Sequence, residues 1–111
     1  MLARKKTIEI EKGIIGLISD THGLIRPEAL AALKGVELII HGGDIGKVAV
    51  LQSLSEIAPV HAIRGNNDRA SWAKKLPDIL NLQINGGNFL TRFPNLAERP
   101  SMGDYDPTNA A

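Results

Sequence analysis
Three short apolar runs in the first two-thirds of the chain share one design. Ile14-Ile15-Gly16-Leu17-Ile18 breaks into Ser19-Asp20-Thr21-His22-Gly23, Val36-Glu37-Leu38-Ile39-Ile40 into His41-Gly42-Gly43-Asp44, and Pro59-Val60-His61-Ala62-Ile63 into Arg64-Gly65-Asn66-Asn67-Asp68. Runs this short and this rich in Ile and Val predict strands buried on both faces, near 14–19, 36–41 and 59–64. Helical patterns lie between them. Residues 27–34 have Pro27 and Glu28 in the first turn, Lys34 in the last and Gly35 as a stop. Val48, Leu51, Leu54 and Ile57 repeat about every three residues, one face of a second helix. Strand, helix, strand, helix, strand predicts an α/β fold with a parallel-sheet βαβαβ core and right-handed crossovers.

Beyond Asp68 the pattern changes. Residues 71–76 read as a short helix closed by Pro77. Residues 79–84 alternate in part, like a half-buried strand. Asn85-Gly86-Gly87 is a hairpin turn, returning through residues 88–91. Residues 92–111 carry three prolines and little to bury, and read as an irregular or disordered tail. The expected organisation is one domain over 1–91 followed by that tail.

Composition narrows the partners. With 13 Lys and Arg against 12 Asp and Glu, a net charge of +1 gives no reason to expect nucleic acid or an anionic membrane. The absence of cysteine excludes a disulfide framework and a thiolate zinc site. The basic start is not followed by a signal-type apolar segment, and no run approaches a membrane span, so a cytoplasmic protein is expected.

In an open parallel sheet, ligands bind beyond the carboxyl ends of the strands. All three polar clusters fall there. Asp20, His22, Asp44 and Asn66 offer two carboxylates, an imidazole and an amide oxygen, donors suited to Mn, Fe, Zn or Mg. A carboxylate such as Asp44 can bridge two cations, and a pair of cations can clamp a phosphoryl group for in-line attack. Taken singly, an Asp or Asn after a strand is also what a cap or turn requires. Gly42-Gly43-Asp44-Ile45-Gly46-Lys47 lacks the ending of a P-loop, and no dinucleotide fingerprint follows the first strand.

The stretches SDTHG, HGGDIG and RGNND, in this order and separated by βα units, resemble the calcineurin-like metallophosphoesterases, above all their small prokaryotic phosphodiesterases. The likeness covers about residues 13–90. It implies the first half of a two-sheet sandwich. It implies that Asp20 and His22 bind one metal, that Asp44 bridges to a second, and that Asn66 binds the second. Asp44 and Asn66 would act in catalysis through a metal-held hydroxide that attacks phosphorus. Arg64 or Arg69, flanking the third motif, would contact a substrate phosphate oxygen, with a solvated surface arginine as the alternative. His41 and Asp68 would steady the ligands from behind, although a plain core histidine is the alternative for His41.

The family's second half supplies three further imidazoles, whereas the histidines here are His22, His41 and His61. The rest of the family's second sheet is expected to be missing. One well-held ion is therefore expected rather than two, Mn first, with Ni, Fe, Zn or Mg as alternatives. Asn67 and Lys47 stand where distant phosphatases place a leaving-group acid and its partner. The expected activity is metal-dependent hydrolysis of a small phosphodiester or phosphate ester, impaired by the missing ligands. A non-catalytic protein-binding scaffold and a truncated or frameshifted inactive product are the alternatives. Apolar sheet left uncovered would favour a homo-oligomer.

Overall fold
A computed structural model describes residues 2–11 and 13–92. Six strands form two three-stranded sheets. In the first, β2 (Ile15–Ile18), β3 (Leu38–His41) and β4 (Val60–Ala62) lie in that order, all parallel. The crossovers are α1 (Pro27–Ala32) and α2 (Val48–Ser55). The α/β architecture with parallel strands is the one expected from the sequence.

β3 is central because all four of its residues are buried. Ile39 packs toward the helices with Leu33, Ile45, Val50 and Leu54. Leu38 and Ile40 pack the other way, with Ile63 and with Leu80, Leu82 and Ile84 of the second sheet. Each such Leu or Ile contributes roughly 1.5–3 kcal/mol through burial. Gly16 of β2 lets α1 approach, since a Cβ there would run into the Leu33 side chain.

The second sheet is more complete than the sequence led us to expect. β5 (Ile79–Ile84) and β6 (Gly87–Arg92) form the predicted hairpin. Asn85 and Gly86 both have positive φ, 48° and 86°, as a tight two-residue turn requires. The third strand is β1 (Ala3–Ile8), which runs parallel to β5 through six paired positions. Its sequence, ARKKTI, is almost wholly exposed and shows no strand signature. It forms because β5 offers a row of backbone partners, and side chains fix its two ends. Asp78 accepts from the Leu2 N–H at 2.8 Å, and Asn85 pairs with both the N–H and the carbonyl of Ile10 at 2.8 Å.

The short helix expected over 71–76 is a single 3-10 turn, Ala73–Lys75. Arg92 closes β6, and the rest of the expected tail, 93–111, lies outside the described residues. Among the described residues no helix is long and apolar enough to cross a membrane.

Candidate metal centre
The loops after β2, β3 and β4 meet at the carboxyl edge of the first sheet, and backbone hydrogen bonds join the first two. The N–H groups of Asp20, His22 and Gly23 donate to the carbonyls of Gly43, Asp44 and Ile45 at 3.0, 3.0 and 2.7 Å. The approach is close enough to depend on missing Cβ atoms. A Cβ on Gly46 would strike the backbone of His22 and Gly23, and one on Gly65 would strike the backbone and carboxylate of Asp44.

This arrangement gathers Asp20, His22 and Asp44, with one donor atom from each lying within 4.8 Å of the others. His22 Nε2 is 3.9 Å from Asp20 Oδ1 and 3.9 Å from Asp44 Oδ2. Oxygen and nitrogen donors held at roughly 2.1 Å from one ion stand about 3.0–4.2 Å apart, so the three fit a divalent cation. Asp44 is at the base, with 8% side-chain exposure, while His22 and Asp20, at 57% and 58%, leave one side open to solvent.

The backbone is unusual at these three positions. Asp20, His22 and Asp44 have φ of 55°, 47° and 56°, and among the described residues the only other non-glycine with positive φ is Asn85. Left-handed backbone costs a side-chain-bearing residue on the order of 1–3 kcal/mol and persists only where surrounding structure enforces it. Here the enforcing structure is the loop-to-loop hydrogen bonding, which aims three donors at one point.

Behind the donors lies a buried polar network. The Gly43 N–H donates to His41 Nδ1 at 3.0 Å, so that nitrogen carries no proton. The proton is then on Nε2, 3.1 Å from Thr21 Oγ1, and the Thr21 hydroxyl in turn donates to the Ile45 carbonyl at 2.8 Å. Burial lowers the His41 pKa and outweighs the opposing pull of Asp68, Asp20 and Asp44, which keeps the ring neutral. Asp68 is buried too. It accepts from the N–H groups of Ile45 at 3.1 Å, Gly46 at 3.0 Å and Gly65 at 2.9 Å, tying the second loop to the third.

Asn66 follows Gly65 at the same edge, half-buried, and its side chain has no hydrogen-bond partner among the described residues. Its neighbour makes the closer contact with Asp44. The Asn67 N–H donates to Asp44 Oδ1 at 3.0 Å and Asn67 Nδ2 to Asp44 Oδ2 at 3.3 Å. Neither that role nor that of Thr21 was legible in the sequence. Both residues lie inside the motifs, but the motif pattern leaves their positions unspecified.

The two arginines part ways. Arg64 turns away from the cluster and grips Asp78, with Nη2 at 2.8 and 2.9 Å from the two carboxylate oxygens and Nε at 3.2 Å from Oδ1. Burial pushes the Asp78 pKa up, but hydrogen bonds from Arg64 and Leu2, with the Arg64 charge, outweigh it and leave the value lowered. Arg69 is exposed, its Nε 3.5 Å from the Asn66 carbonyl.

Residues 14–95 match the model of the calcineurin-like phosphoesterase superfamily domain. The chain belongs to that superfamily. Among curated family relatives, it is 46% identical over 61 residues to a probable metallophosphoesterase of Methanothermobacter thermautotrophicus, covering 50% of this chain and 36% of that protein. A probable metallophosphoesterase of Methanocaldococcus jannaschii is 40% identical over 67 residues, covering 56% of this chain and 35% of that protein. The matched part is thus about a third of these relatives' length. No solved structure matches significantly. Asp20, His22 and Asp44, whose donor atoms could together hold a divalent cation, all lie within the residues that match this family.

Proposed function
We propose that the chain is a metal-dependent phosphoesterase acting on phosphodiesters, with Asp20, His22 and Asp44 holding one divalent cation, Mn before Ni, Fe, Zn or Mg. The observation that carries this reading is the convergence of these donors within 4.8 Å, all three on left-handed backbone at the carboxyl edge of a parallel sheet. A cation bound there supplies Lewis acidity, lowering the pKa of water and offsetting charge on phosphoryl oxygens. In the reaction a water oxygen bonds to phosphorus, the bond from phosphorus to the ester oxygen breaks, and the departing alcohol takes up the proton released by water.

The chain's own groups set the rest. Asn67 fixes both oxygens of Asp44. Asn66, which follows Gly65 at the same edge, is the expected partner of Asp44 for a second cation, a site weaker than the first. Arg64 is engaged by Asp78, which leaves Arg69 as the arginine for a phosphate oxygen. Asn67 and Lys47 cannot form the His–Asp pair that serves the leaving group in distant phosphatases, so esters with good leaving groups are favoured.

Elemental analysis after loading with Mn, beside an assay with bis(4-nitrophenyl) phosphate, tests the reading. The expected result is close to one Mn per chain with slow Mn-dependent hydrolysis, both lost in Asp44→Asn. Failure to bind any divalent cation would overturn it in favour of a non-catalytic scaffold.

A further inference from the structure
We propose that a cleft beside Asp20 receives the alcohol portion of the substrate ester, and that this portion is a compact apolar or aromatic group. The inference rests on the phosphoesterase reading above. The cleft is an open concavity of about 290 Å³ between the carboxyl end of β2 and the start of α1. Ile18, Leu24, Ile25 and Ala29 give it apolar walls, and Asp20 and Arg26 stand among its polar lining.

Asp20 is what links the cleft to the chemistry. It belongs both to the cation cluster and to the cleft lining, so the cleft is the apolar space that a group esterified to a phosphoryl at the cluster can enter. A larger open groove of about 610 Å³ runs between β2 and β6, but none of Asp20, His22, Asp44 or Asn66 lines it. Size and lining then define the ligand. The volume is just below the roughly 300–1,000 Å³ of small-molecule sites, room for one ring or a short branched alkyl group. The walls favour burial of apolar surface, and Leu24, at 60% exposure, still has apolar surface to cover. The turn carrying Leu24 is fixed by its own N–H to the Thr21 carbonyl at 3.0 Å and by Gly23 to Ile45 at 2.7 Å, so the wall is preformed.

Two phosphonates, which resist hydrolysis, separate the possibilities. Dissociation constants of phenylphosphonate and methylphosphonate are measured by calorimetry on the full chain loaded with Mn, together with Leu24→Ser and Ala29→Trp, which strip and fill the cleft. Phenylphosphonate should bind the unmodified chain at least about tenfold more tightly than methylphosphonate. Each variant should reduce that preference at least about fivefold, and two variants of opposite kind guard against misfolding of one. Equal affinity for the two phosphonates, or a preference that survives both variants, would overturn the cleft assignment alone. If neither phosphonate binds the loaded chain, the cleft assignment falls, whereas failure to bind any divalent cation removes the phosphoesterase reading and the proposal with it.

Discussion

At Thr21 one hydroxyl serves two buried partners, accepting from His41 Nε2 and donating to the Ile45 carbonyl. Thr21→Val keeps the shape and removes both bonds, leaving a buried donor and a carbonyl unpaired. A loss of roughly 1–3 kcal/mol is expected, checked by urea unfolding. Gly65→Ala should also destabilise, because its Cβ would occupy the space of the Asp44 backbone and carboxylate. Overpacking of this kind costs about 1–3 kcal/mol, and a Mn titration of the same variant should show weakened binding. The sequence named Asp20, His22 and Asp44 through residue type and position after a strand. It could not show that Asn67 grips Asp44, or that Arg64 turns to Asp78, because neither follows from spacing along the chain. Both depend on where a loop lands after the strands have packed.

Among the elements, β1 is the one that local pattern did not reveal. A strand normally announces itself through alternating apolar residues, and ARKKTI has none. Its stability comes from pairing with β5 and from Asp78, which joins Leu2, Arg64 and the start of β5. Asp78→Asn should therefore destabilise the fold by roughly 1–3 kcal/mol at pH 7, read from thermal unfolding. The sign of the pH dependence follows from its lowered pKa. The ionised carboxylate is favoured in the folded state, so its stabilisation is present above the ordinary carboxylate range and is lost as pH falls through the folded value. Asp78→Asn should abolish that acid-side contribution. β2 to β4 were legible because strands buried on both faces must be apolar throughout, and the β5–β6 turn because Asn-Gly tolerates positive φ.

For the molecule as a whole, burial lowers the pKa of His41, and burial with the nearby Lys6 charge lowers that of His61. Both therefore resist protonation when folded, while the unfolded chain takes up protons near pH 6.5. Stability should fall as pH drops from 7.5 through 6.5 toward the folded values, measured as a lower urea midpoint at pH 5.5 than at pH 7.5. A cation that binds only the folded chain works in the opposite direction, adding about 2.7 kcal/mol at a hundredfold excess over Kd, and Asp44→Asn should lose that gain. The sequence by itself determined the α/β class, the order of the core strands and helices, the β5–β6 hairpin and the donor residues. These depend on local periodicity, turn chemistry and the rule that loops after parallel strands share one edge. Only the tertiary structure decided that the basic N-terminal segment is a strand of a second sheet, that Arg64 serves the fold, and that Asn67, Thr21 and His41 hold the donor loops. Each of these rests on hydrogen bonds between residues 14 to 76 positions apart, which form only when the two sheets and three loops have come together.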